Sequence, residues 1–153
     1  VSFGPLVAFA IKQAALRHGL DVNVLAAQVH HESGGDPTAV RFEPGWRYFH
    51  PFRSPFCSEA TERNLQACSW GLMQLMGTVL REQGYREPFL SAIVPDLAQQ
   101  MEHGASRMRR LLTKLEISDA LSAYNAGTPT PLNRSNYVEP ILRLAEKYRK
   151  EGF

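Results

Sequence analysis

"VHHESGGDP", from Val29 to Pro37, places one acidic residue between two histidines and two glycines. A glycine pair followed closely by proline stops a helix, because glycine takes the left-handed backbone of a C-terminal cap and proline cannot continue helical hydrogen bonding. The residues before it therefore close a helix, and Asp21 is placed to open it as the N-cap. With about 100° per residue and Leu25 at zero, Val29 falls at roughly 40° and Glu32 at roughly 340°, whereas His30 and His31 fall at roughly 140° and roughly 240°. Glu32 continues the apolar stripe. Both histidines face elsewhere, toward solvent or a substrate.

A carboxyl on an apolar face is desolvated, and the negative end of the helix dipole opposes its ionisation as well. Both effects favour the protonated form that a general acid needs in order to give a proton to a poor leaving group such as a glycosidic oxygen. The alternative is a glutamate on the rim of the core, its charge solvated or bonded to backbone amides. A metal site is the weaker reading: HExxH requires histidine where Gly35 stands, and His18, His50 and His103 show no ligand spacing.

Helical periodicity extends in both directions from this segment. A first helix opens at Pro5, turns Leu6, Val7, Ala10, Ile11 and Ala14 inward, and closes at Gly19. A helix over Leu72 to Gln83 fits Leu72, Leu75, Met76, Val79 and Leu80. Pro95 begins the next, with Leu97, Met101, Ala105, Met108, Leu111 and Leu112 as its stripe. Ser118 or Asp119 caps another that ends at Gly127, and a last one runs from near Tyr137 to Lys150 with Pro140 in its first turn. From Asp36 to Cys68 the text is irregular and rich in aromatics, as in "RFEPGWRYFHPFRSPF" at Arg41 to Phe56, with a short helix around Ser58 to Gln66. Long segments of this kind are usually functional. The expected fold is one all-α domain over residues 1–153, with a long aromatic-rich loop insertion and little or no β structure.

The chain has 153 residues, enough for one domain with a real core, and its 44% hydrophobic and 21% charged residues are ordinary globular usage. A net charge of +2 suits an anionic polymer such as cell wall and is too weak to indicate nucleic acid. The longest apolar run, "PLVAFAI" at Pro5 to Ile11, is too short to span a bilayer, and it lacks the flanks of a signal peptide. Cys57 and Cys68 match no redox or zinc spacing; a single disulfide and two free thiols both fit.

Three separated motifs act together. "ESGGDP" at Glu32 to Pro37, "GLMQLM" at Gly71 to Met76 and "AYNAG" at Ala123 to Gly127, followed by "YVEPIL" at Tyr137 to Leu142, resemble the soluble lytic transglycosylases, goose-type lysozyme-like enzymes. The loop with "SEATERN" before "SWGLMQ" is more similar to phage-associated members. The resemblance implies a lysozyme-like fold and cleavage of the β-1,4 bond between N-acetylmuramic acid and N-acetylglucosamine in peptidoglycan, with a 1,6-anhydro product and no cofactor or metal. It implies Glu32 as the catalytic acid and base, with Ser33, Met73, Gln74, Tyr124, Asn125 and Tyr137 as substrate-binding residues.

Several of these have ordinary structural alternatives: helix C-terminal bonding for Ser33, a polar helix face for Gln74, a buried ring for Tyr124. Leu72 and Met73 would form the apolar wall beside Glu32. Trp46, Tyr48, Phe49, Phe52 and Trp70 are candidate sugar-stacking rings, and Arg41, Arg47 and Arg53 candidate partners for muramyl carboxylates. Asp36, Glu43, Glu59 and Glu62 are available as a second carboxylate, which would turn the reaction toward hydrolysis. The expected partner is the glycan strand, met by a monomer in the periplasm or outside the cell, with delivery by a phage as one route, without membrane insertion or nucleic acid. A hydrolase of the same bond and a non-catalytic wall-binding domain stay open.

Overall fold

The computed structural model describes residues 3–153; Val1 and Ser2, inside the expected 1–153 domain, lie outside the described residues. Helix α1 (Pro5–His18) starts on its proline and ends on left-handed Gly19. Its inner face carries Val7, Ala10, Ile11 and Ala14, but Leu6 points outward and is 74% exposed, a correction to the expected stripe. Helix α2 (Val22–Ser33) is capped by Asp21, whose Oδ1 accepts from the amides of Asn23 and Val24 at 2.8 and 3.3 Å. Gly34, at φ 67°, ends it where the glycine pair predicts.

A small antiparallel sheet follows, in the order β1 (Val40–Phe42), β2 (Cys68–Trp70), β3 (Leu75–Met76). Val40 faces Trp70, and Trp70 faces Leu75. The short helix α3 (Glu59–Gln66) lies between β1 and β2, its N-cap Ser58 accepting from the amide of Thr61.

The expected helix over Leu72 to Gln83 is shorter. Gly71 to Gln74 form a turn, Leu75 and Met76 a strand, and helix α4 covers only Gly77–Glu82. Gly71 takes φ 66°, and a Cβ there would stand 2.1 Å from Oε1 of Gln100. That oxygen accepts from the amide of Leu72 at 2.7 Å, holding it in the turn. The apolar spacing that suggested a helix comes from core residues of a turn, a strand and a helix in succession, so periodicity alone could not separate them.

Helix α5 (Leu97–Leu112) is capped by Asp96, which accepts from Gln99 at 3.0 Å. Helix α6 (Ile117–Ala126) begins after Glu116, with no side-chain cap, so neither Ser118 nor Asp119 is the N-cap. Tyr137 lies in a wide helical turn over Arg134–Val138, which runs into α7 (Glu139–Glu151) with Pro140 in its first turn. Helix α2 packs chiefly on α7 and α1 on α5, while α5 also packs on α6. Ile11, Leu25, Leu72, Met101, Leu121 and Ile141 meet in this core. The architecture is mainly helical, with β structure confined to the small sheet.

The irregular segment is pinned from below. Arg81, 0% exposed, meets Glu62, 1% exposed, through two hydrogen bonds of 2.8 and 3.0 Å. Its Nη1 also donates to the carbonyls of Tyr85 and Glu87, and Phe52 stacks on the guanidinium at 3.5 Å. The charge is thus fully bonded, the condition under which a buried ion pair is tolerated.

Candidate active site

Glu32 occupies the last turn of α2, continuing the face of Leu25 and Val29, and is half-buried. The Tyr137 hydroxyl donates to Oε1 of Glu32 and itself accepts from Nε2 of Gln28 at 3.3 Å. Burial is the largest influence on the carboxyl and raises its pKa to about 7, against the opposing pull of the Tyr137 hydrogen bond and the Arg41 charge. Protonated and ionised Glu32 are therefore both accessible near neutral pH. Burial also holds the hydroxyls of Tyr124 and Tyr137 protonated, and the nearby Glu32 charge reinforces this.

The histidines divide. His30 is half-buried: its Nδ1 lies 2.9 Å from the Tyr148 hydroxyl and its ring meets Phe3 edge-on. His31 is exposed, and its ring meets that of Tyr137 edge-on at 5.0 Å. Among the described residues no group of three or more His, Cys, Asp or Glu side chains is placed to hold a metal ion.

The turn at Gly71 to Gln74 forms the facing wall. Ser33 ties α2 to it, with Oγ 2.9 Å from the carbonyl of Leu72 and 3.2 Å from that of Val29, while accepting from the amide of Gly35. Gln74 has φ 46°, a left-handed backbone that is uncommon outside glycine and costs energy. Its side chain offsets this cost locally: Nε2 donates to the carbonyls of Gly71 and Ala39, and Oε1 accepts from Ser69. Met73 is 1% exposed, and a Cβ on Gly104 would come within 2.2 Å of its Sδ, so α5 passes directly beneath it. The Tyr124 hydroxyl donates to the Met73 carbonyl at 2.9 Å, joining α6 to the turn.

These walls enclose a cleft of about 720 Å³ lined by Glu32, Gln74, Tyr124 and Asn125. Ser33, Met73 and Tyr137 stand behind the lining, connected to it through the bonds above. Asn125 is exposed, with Oδ1 accepting from Nδ2 of Asn133 at 2.9 Å.

Of the five candidate stacking rings, Trp46 and Tyr48 line the cleft. Trp46 is fixed by a 2.9 Å bond from Nε1 to Oγ1 of Thr78. Phe49 instead stacks under Arg63 and Phe52 under Arg81, while Trp70 is buried with Nε1 donating to the carbonyl of Leu65.

The four acidic candidates separate as clearly. Glu43 lines the cleft, 2.6 Å from Nε of Arg41. Glu62 is committed to Arg81, Glu59 pairs with Arg63 on the surface, and Asp36 accepts from Thr38. Cys57 and Cys68 are free thiols, and Cys68 Sγ lies 3.3 Å from the carbonyl of Asn64.

Arg107 on α5 also lines the cleft, and sequence reasoning missed it. It sits in an arginine-rich stretch of a helix, and nothing in the local pattern separates it from Arg109 and Arg110, which are exposed.

Among the described residues no helix is long and apolar enough to cross a membrane. No solved structure matches the chain. Residues 9–139 match the family described as the transglycosylase SLT domain. The match runs from within α1 to the start of α7 and takes in both walls of the cleft, and the chain therefore belongs to the SLT transglycosylases, lysozyme-like proteins that act on cell-wall peptidoglycan.

Proposed function

We propose that residues 1–153 form a single lytic transglycosylase domain that acts as a monomer on glycan strands, in the periplasm or outside the cell, without a cofactor. It cleaves the β-1,4 bond between N-acetylmuramic acid and N-acetylglucosamine. Protonated Glu32 gives its proton to the bridging oxygen as the bond to the muramic acid C1 breaks, freeing the N-acetylglucosamine 4-hydroxyl. The resulting carboxylate takes the proton of the muramic acid 6-hydroxyl as that oxygen bonds C1 and closes the 1,6-anhydro ring. One group serves as acid and then base, and no water is consumed.

The observation that carries this reading is the state of Glu32: a half-buried carboxyl at the cleft, with burial raising its pKa to about 7 and Tyr137 donating to one oxygen. Tyr137 fixes the carboxyl, Gln74 shapes the cleft wall with its side chain held by Gly71, Ala39 and Ser69, and the Asn125 amide nitrogen is available to the N-acetyl sugars. Trp46 and Tyr48 offer ring faces for the pyranose rings. Ser33 and Met73 act through the turn at Gly71 to Gln74, and Tyr124 braces that turn from α6.

Hydrolysis of the same bond is the second reading, favoured by one observation: Glu43 lies in the same cleft. Its pairing with Arg41 at 2.6 Å argues against a free base that activates water. Mass spectrometry of glycan digested by the protein separates the two. Anhydromuramyl ends are expected, and reducing-end muramic acid alone would overturn the transglycosylase reading. Absence of any cleavage product would leave a wall-binding domain.

A further inference from the structure

Arg107 carries a positive charge in the cleft that the proposed reaction does not use. Its Nε is buried and has no hydrogen-bond partner, and among the described residues no carboxylate pairs with it. The contrast with Arg41 is direct, since that cation shares the cleft and is held by Glu43. The guanidinium of Arg107 lies 5.5 Å from the centre of the Tyr124 ring, and Tyr124 lies within charge range of both Glu32 and Arg107. Asn125 follows Tyr124 and lines the same cleft. Its Oδ1 is occupied by Asn133, which leaves Nδ2 to donate outward.

Arg107 therefore lines the cleft without a carboxylate partner of its own, and a planar guanidinium matches an incoming carboxylate with two parallel bonds. The glycan backbone of peptidoglycan is otherwise neutral. Its carboxylates hang from the lactyl arm of muramic acid, either as the lactyl carboxylate of a peptide-free strand or as carboxylates of the stem peptide. Resting on the reading of the cleft as a glycan site, we infer that Arg107, assisted by Asn125, binds a carboxylate of the muramic acid side arm and makes the cleft selective for muramyl strands over neutral amino-sugar polymers.

The test compares the parent chain with Arg107→Gln and Arg107→Lys on three substrates: native strands, strands whose carboxylates are converted to amides, and peptide-stripped strands with free lactyl carboxylates. On native strands Arg107→Gln raises KM roughly tenfold or more, with kcat little changed, and Arg107→Lys recovers part of the loss. On amidated strands the parent falls to the level of the variant, and Arg107→Gln no longer distinguishes native from amidated material. A parent preference that persists on stripped strands assigns the lactyl carboxylate, and its loss there assigns the stem peptide. If Arg107→Gln favours native over amidated strands as strongly as the parent does, the inference is overturned. Binding of the same strands to Glu32→Gln and to Glu32→Gln/Arg107→Gln reads the carboxylate contact without turnover, so it is separable from failure of the proposed reaction.

Discussion

The hydroxyl of Tyr137 donates a hydrogen bond to Oε1 of Glu32, joining the turn before α7 to the last turn of α2. The donor favours the ionised carboxylate, and burial favours the neutral acid; burial is the larger effect, which is why the pKa lies above its ordinary value. Tyr137→Phe removes the opposing influence. The alkaline limb of the pH–rate profile should move to higher pH, and kcat should fall roughly tenfold as the carboxyl loses a charge-assisted bond. An unmoved alkaline limb would show that Tyr137 does not bear on Glu32.

Glu32→Gln should lower wall clearance by roughly a hundredfold or more, the range expected for loss of general acid–base chemistry. Turbidity of purified walls provides the measurement, and a variant as fast as its parent would remove Glu32 from the proposed role.

The same residue couples folding to pH. A carboxyl raised from 4.5 to about 7 in the folded state holds its proton more tightly there than in the unfolded chain. Its stabilising contribution is present in full below the unfolded pKa and is lost as pH rises through the folded one. At roughly 1.4 kcal/mol per pKa unit, the loss between pH 4.5 and 8 is up to about 3 kcal/mol. Glu32→Gln should abolish that component, so denaturant unfolding at both pH values should find the variant less pH-sensitive than the parent.

Glu62 and Arg81 form a buried pair that also carries Phe52. Breaking it with Glu62→Gln should destabilise the fold by about 3–5 kcal/mol, because an unpaired guanidinium would remain in the interior. Replacing both with apolar residues, as Glu62→Leu/Arg81→Met, should recover much of the loss. Chemical denaturation of the single and double variants decides this.

Gln100 holds the turn that carries Met73 and Gln74. Its Oε1 accepts from Leu72, and its Nε2 lies within bonding distance of the carbonyls of Pro37, Ile93 and Val94. Gln100→Leu strands the Leu72 amide at a cost of about 1–3 kcal/mol. It should also lower kcat, since the wall facing Glu32 loses its anchor. Calorimetry and steady-state rates on glycan measure the two effects.

Local chemistry in the sequence determined much of this protein. Pro5, Asp21, Gly34, Ser58 and Gly127 mark helix ends where they are read, because caps and stops depend on only a few neighbouring residues. The wheel position of Glu32, next in line to Leu25 and Val29, follows from the same short-range rule. Tertiary structure decided what those rules cannot reach. Gly71 to Gln74 became a turn because Gln100, on α5, captures the Leu72 amide. Glu62 had the same standing as Glu43 until Arg81, from α4, claimed it, while the packing of α5 and α6 left Glu43 lining the cleft. Arg107 gained its place only when α5 and α6 packed together, bringing its guanidinium over the Tyr124 ring. Each of these outcomes depends on a partner distant in the chain, and pairing at that range is set by packing rather than by local pattern.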